Sequence, residues 1–261
     1  MIPRQFGTRE FSHGRGPRGE RSPRVSSAPR HSSEAAIERS ALIVGAGSGV
    51  SASFARVLAS HGYRLVLASR NAAARTPELP EALRVACDVT DAQSVARLFD
   101  HVDAELPPLA VVLYNPSFRS RGPLVDLVAD DVQRSLQVTA FGAFLVAQQA
   151  ARRMLARGSG TLLFTGASAS VKGYAQSAPF AMGKFALRGL VQSIARELAP
   201  QNIHAAHVVI DGAVRGSGYP ETTPDSQLDP DAIAESMWHL VQQPRTAWSW
   251  EIEVRPWVEK F

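Results

Sequence analysis

The 261-residue chain has one cysteine, lacks any apolar run of the roughly 18 to 20 residues that a membrane helix needs, and carries no net charge beyond residue 37. A lone Cys87 excludes an intrachain disulfide, so nothing in the thiol content points to an oxidising compartment. Its place in the apolar stretch LRVACDV marks a buried, inert thiol rather than a nucleophile. The absent apolar run excludes a helical membrane span. The formal charge of +4 and the pI near 9.6 resemble those of a nucleic-acid binder, but their location decides otherwise. Arg4, Arg9, Arg15, Arg18, Arg21, Arg24 and Arg30 against Glu10, Glu20 and Glu34 account for the whole excess, leaving 21 of the 28 basic and 21 of the 24 acidic groups to the rest. A neutral body disfavours a nucleic-acid partner.

Residues 1–37 are rich in Arg, Ser, Gly and Pro without apolar periodicity, and cannot offset the entropy of ordering. A disordered basic extension is expected there. Its composition overlaps that of organelle transit peptides, while its Gly and Pro oppose the amphipathic helix such peptides form; a loose extension or an upstream start codon are the other readings. A cytoplasmic location is the expectation.

From residue 38 to 261 apolar strand-like runs alternate with helical patterns, as one domain. SALIVG, YRLVLAS, LRVACDV, LAVVLY, GTLLFT, IHAAHVVI and SWEIEV read as strands. Helices are expected over VSASFARVLASHG, near 91–104, near 130–157, near 176–198, and in LDPDAIAESMWHLVQQ, where Asp229 is an N-cap and Pro230 takes the first helical position. Near-continuous apolar strands alternating with helices mean a parallel sheet covered on both faces: an α/β, doubly wound, Rossmann-type fold. His204 and His207, three apart on one strand, face opposite ways and form no metal pair, and no metal site is expected. Trp257 and Phe261 are expected to cover a core or subunit edge.

Between the first strand and the first helix stands VGAGSGVSASFA, with Gly45, Gly47 and Gly49. Glycine there turns the chain sharply and lets a pyrophosphate approach N–H groups at a helix N-terminus. With that context on the page, the chain from about Ser40 onward resembles the short-chain dehydrogenase/reductase family. The family's Thr-Gly-x-x-x-Gly-Ile-Gly turn is similar to Val44 to Ser51, keeping Gly45 and Gly49, with Ser48 and Val50 inside it and Ser51 in place of the last glycine. CDVTD resembles the adenine-contacting segment, which implies Asp88 and Val89. LYNPS stands for the family's Asn-Asn-Ala-Gly, with Asn115 retained, and Asp211-Gly212 stands for Pro-Gly near the nicotinamide. An added carboxylate at 211 would repel an acidic substrate or bond the carboxamide; the other reading of Asp-Gly is a turn.

Cofactor choice follows from charge. An NAD site places a carboxylate at the end of the second strand to hold the ribose 2′-hydroxyl, where it would repel a 2′-phosphate. LASRN offers Ser69 and then Arg70, and a guanidinium can pair with phosphate, so NADP(H) is expected over NAD(H).

The resemblance also implies a catalytic set of tyrosine, lysine, serine and asparagine. A tyrosine moves the proton, and a lysine four residues later shares its helix face and binds the ribose. In APFAMGKFAL the lysine is Lys184 and the tyrosine position holds Phe180. The serine position falls on Ala167, with Ser168 adjacent, and the asparagine position on Thr139. Phenylalanine has no ionisable proton, so the usual relay is missing. Three readings follow. An NADP(H)-dependent reductase of carbonyl or enone substrates could draw on another donor, with Lys184, Tyr174, Ser177 and Ser168 as candidates; dienoyl-CoA reductases in the family also lack tyrosine at this position. A dinucleotide-binding sensor or partner subunit needs no relay. A third role lies in association, since the family's equivalents of the two long helices form a four-helix interface, which implies a homodimer or homotetramer.

Overall fold

A computed structural model describes residues 38–71 and 79–259; the expectations for residues 1–37 and Phe261 lie outside them. Seven strands form, β1 (Arg39–Val44), β2 (Tyr63–Ser69), β3 (Leu83–Ala86), β4 (Leu109–Tyr114), β5 (Gly160–Thr165), β6 (Ile203–Ile210) and β7 (Glu251–Val254). All neighbours pair in parallel, in the order β3-β2-β1-β4-β5-β6-β7. The helices are α1 (Val50–Ser60), α2 (Ala92–Glu105), α3 (Ala129–Leu136), α4 (Gly142–Arg157), α5 (Ala178–Leu198) and α6 (Pro230–Gln242).

The period of two along each strand divides the core. Leu42 and Val44 of β1 join Phe99, Val146, Met154 and Leu187 on one face. Ala41 and Ile43 join Phe54, Leu58, Ile233 and Met237 on the other. Both layers are apolar, which is why the strands read as near-continuous hydrophobic runs. The strand order reverses between β1 and β4, and a crevice opens at such a switch point beyond the C-terminal strand ends.

Two elements differ from the sequence expectation. The helix placed near 130–157 is divided by a π-helical turn, Gln137–Phe141, between α3 and α4. Inside that turn the Val138 carbonyl accepts from the Tyr114 hydroxyl, and an outside donor of this kind accompanies breaks in a helical ladder. α5 starts at Ala178, two residues later than expected, with Pro179 in its first turn, where a missing N–H costs nothing. β3 ends before Cys87, which is nonetheless buried, and burial raises its thiol pKa, as an inert thiol requires. Trp257 is 72% exposed and donates from its indole to the Pro224 carbonyl at 3.4 Å, so it covers no core edge. No described helix is long and apolar enough to cross a membrane.

Candidate functional site

The glycine turn is shaped by backbone sterics. Gly45 has φ +82°, and a Cβ there would stand 2.9 Å from Pro116 Cδ, so both conformation and space demand glycine. Gly49, at φ +83°, forms the N-cap of α1, while nothing crowds Gly47. Ser51 explains the departure at the third glycine of the resemblance. Buried, it donates from Oγ to the Gly45 carbonyl at 2.9 Å and accepts from Asn115 Nδ2 at 2.8 Å, tying the turn to the end of β4. Asn115 thus acts on the turn, and Ser48 and Val50 flank it as an exposed and a buried residue.

This turn borders a cleft of about 840 Å³ over the C-terminal ends of β1, β2 and β4. Gly45, Gly47, Ser69, Arg70, Asp88 and Val89 line it. Asp88 accepts from Thr90 N at 2.9 Å and Thr90 Oγ1 at 2.8 Å, and these bonds lower its pKa, with Arg70 and Arg134 nearby adding to the effect. Ser69 Oγ is buried without a hydrogen-bond partner, a polar atom left for a ligand to satisfy. A glycine cradle at a helix start, an orphan hydroxyl and an exposed arginine fit a dinucleotide.

The remaining candidate residues lie outside this cleft's lining. Lys184 of α5 is 3% exposed, and its Nζ donates to the Thr165 carbonyl at the end of β5 at 2.6 Å. Burial pulls its pKa down to about 7. Phe180, one turn earlier, puts its ring centroid 5.8 Å from that Nζ. Thr139 is fully buried in the π-helical turn, where its Oγ1 accepts from Phe118 N at 3.4 Å. A Cβ at Gly183 would come within 3.0 Å of Thr139 Cβ, so this side chain serves packing between the turn and α5. Ala167 and Ser168 begin the short 3-10 turn after β5, where Ala167 N donates to Ser170 Oγ at 3.1 Å. Ser177 Oγ, just before α5, is buried without a partner.

Tyr174 is 46% exposed in the loop leading to α5. Lys172 lies against it, with Nζ 5.9 Å from the ring centroid, and the tyrosine together with nearby Asp211 raises the lysine pKa. The same Nζ stands 3.4 Å from Asp211 Oδ2. Asp211 is buried and also pairs with Arg255 at 3.6 Å, so its carboxylate is neutralised from two sides. Gly212, at φ +144°, packs where a Cβ would stand 2.8 Å from Pro256 Cδ. The sequence reading missed Lys172, Arg255 and Tyr114: each acts through a partner distant in sequence, and no local spacing announces it.

The two histidines of β6 part as expected. His204 Nε2 lies 2.8 Å from the Ser249 carbonyl, and its ring stacks on Trp248, whereas His207 Nδ1 lies 3.0 Å from Glu251 Oε2. Among the described residues no group of three or more His, Cys, Asp or Glu could hold a metal.

Comparison with known proteins agrees with this geometry. The short chain dehydrogenase family profile matches residues 39–227. The 3-oxoacyl-[acyl-carrier-protein] reductase MabA of Mycobacterium tuberculosis is 31% identical over 179 residues, covering 68% of this chain and 70% of that protein. The cis-4-hydroxycyclohexanecarboxylate dehydrogenase of Sinomonas cyclohexanicum is 32% identical over 179 residues, covering 65% and 71%. Among solved structures, a short-chain dehydrogenase from Rhodopseudomonas palustris superposes with a TM-score of 0.73 at 31% identity, over 84% of this chain and 99% of that one. A metagenomic short-chain oxidoreductase in complex with NADP gives 0.71 at 26% identity, over 84% and 98%. With the cradle, the switch-point crevice and the parallel sheet in place, the chain belongs to the short-chain dehydrogenases, a family of oxidoreductases.

Proposed function

We propose that the protein is an NADP(H)-dependent oxidoreductase that reduces a carbonyl or enone of a small molecule and takes the proton from Tyr174. The observation that carries this reading is Lys172, whose Nζ lies 5.9 Å from the Tyr174 ring centroid and 3.4 Å from Asp211 Oδ2. It recreates a phenol beside an ammonium at the loop entering α5, although Phe180 stands where the family's phenol would be. An ammonium beside the phenol ring stabilises the phenolate left when the proton departs, and Asp211 holds that ammonium in place. A bound nicotinamide supplies the hydride. Lys184, whose pKa burial lowers to about 7, is the second candidate for proton transfer, and Ser168 is the candidate to hold the substrate oxygen.

Preference for NADP(H) rests on Arg70 and the unpartnered Ser69 hydroxyl at the end of β2, with no acidic side chain at either position. The reductase and dehydrogenase named among the relatives act on a ketoacyl group and a ring alcohol, which supports small carbonyl substrates here. Assembly as a homodimer or homotetramer is part of the proposal. Phe144 and Leu155 of α4 and Phe185 of α5 are exposed, and a groove of about 410 Å³ runs between these helices. A cytoplasmic location completes the reading. One observation favours a dinucleotide-binding subunit without turnover: Lys184 Nζ is committed to the Thr165 carbonyl.

The test is fluorescence titration with NADPH and NADH, followed by carbonyl and enone panels on wild type and Tyr174→Phe. Saturable NADPH binding, weaker NADH binding, and turnover lost in Tyr174→Phe support the proposal. Cofactor binding without oxidation on any panel member moves the protein to the binding-subunit reading, and unchanged turnover in Tyr174→Phe removes Tyr174 as donor.

A further inference from the structure

We propose that Arg119, with Arg121 beside it, forms an anion-recognition site over the ring of Phe180, which takes a carboxylate or phosphate group of the substrate. The inference rests on the reading that the loop and helix around Phe180 face the substrate.

Arg119 lies on the loop that leaves β4, and its guanidinium carbon is 4.6 Å from the Phe180 ring centroid. That loop is tied on both sides of the arginine. Before it, the Phe118 carbonyl accepts from Ser135 Oγ at 3.1 Å, and the Phe118 ring lies under Arg134 at 4.8 Å. After it, Gly122 N donates to the Gln176 carbonyl at 3.1 Å, which joins the loop to the entry of α5. A guanidinium stacked on a phenyl face and carried by a pinned loop has lost part of its freedom before any ligand arrives, which lowers the cost of binding.

Its charge is unanswered. Arg153, Arg188 and Arg215 each meet a carboxylate within 3.0 Å. Among the described residues no carboxylate lies within ion-pair distance of Arg119 or Arg121. Burial lowers the pKa of Arg119, the neighbouring Arg121 lowers it further, and only Tyr219, from the loop before α6, acts the other way. A second positive charge near Arg119 is unfavourable until an anion arrives, and both arginines are exposed and open to one. The planar fork of arginine matches the oxygens of a carboxylate or a phosphate. Phenylalanine at position 180 gives the guanidinium a ring face, with no hydroxyl to compete for its N–H groups.

The experiment needs neither turnover nor cofactor. Fluorine NMR of 4-fluorobenzoate, 4-fluorophenyl phosphate and neutral 4-fluorobenzamide is recorded against the full chain, as wild type, Arg119→Gln and Arg119→Lys. Wild type should bind at least one of the two anions saturably and more tightly than the amide. Arg119→Gln should weaken the anion by about 10-fold or more, and Arg119→Lys should restore part of the loss. The relative affinities of the two acids then assign carboxylate or phosphate. Equal binding of acid and amide, no saturable binding of either acid, or anion affinity unchanged in Arg119→Gln overturns the site. NADPH titration of the same proteins keeps the two readings apart. Wild type that fails to bind NADPH defeats the reductase proposal and leaves the anion result standing, whereas Arg119→Gln should keep NADPH affinity.

Discussion

Replacing Lys184 by methionine should make the cofactor-free protein more stable, and by an amount that depends on pH. The ammonium is buried, bonded to the Thr165 carbonyl, and its pKa falls from 10.5 to about 7. Below the folded-state value the lysine is charged in both folded and unfolded chains, so the full burial penalty is present. Between the two values the unfolded chain holds a proton that the folded chain has released, and stability therefore rises with pH across this window. At about 1.4 kcal/mol per pKa unit, the penalty is about 5 kcal/mol at pH 6 and about 2 kcal/mol at pH 9. Methionine has a similar length and no charge, but leaves the carbonyl without its donor at a cost of about 1 to 2 kcal/mol. The variant should thus be more stable by about 3 kcal/mol at pH 6 and nearly equal to wild type at pH 9. His207, which burial holds at about 4, is also lowered slightly by the Lys184 charge, so its response to the substitution is a small part of the difference. Urea unfolding of both proteins from pH 6 to 9 reads the difference directly. Parallel curves, with a gap constant to within about 0.5 kcal/mol, would mean that Lys184 keeps its ordinary charge and that burial does not tune it.

Arg70→Asp should weaken NADPH by about 10-fold to 100-fold while leaving NADH unchanged or tighter, as measured by fluorescence titration; equal losses for both cofactors would remove Arg70 from the 2′-phosphate. Gly45→Ala should cost about 2 kcal/mol or more in urea unfolding and abolish dinucleotide binding, because the new Cβ meets both a positive φ and the Pro116 ring. Ser51→Ala should lower NADPH affinity several-fold with only about 1 to 2 kcal/mol of stability lost, since it cuts the link from Asn115 to the Gly45 carbonyl; unchanged affinity would make that link structural only.

Much of the cofactor side is legible from residues close together in the chain. The turn around Gly45, the strand ending at Ser69 and Arg70, and the segment at Asp88 and Val89 each follow a strand, and parallel pairing brings strand ends to one edge. The substrate side is far less legible. Lys172 meets Asp211 from 39 positions away, and Arg119 reaches Phe180 from 61. The π-helical turn was equally hidden, because the Tyr114 hydroxyl that engages it comes from a strand 24 residues earlier.

Sequence by itself determined the layered α/β architecture, the glycine turn and the phenylalanine four residues before Lys184, because strand and helix periods and the identities of single side chains are local properties. Tertiary structure alone decided which charges meet. It committed Lys184 to the Thr165 carbonyl, set Asp211 between Lys172 and Arg255, and left Arg119 over Phe180 without a counterion among the described residues. The energy of a charge depends on its distance to other charges and to water, and only the packed chain sets those distances.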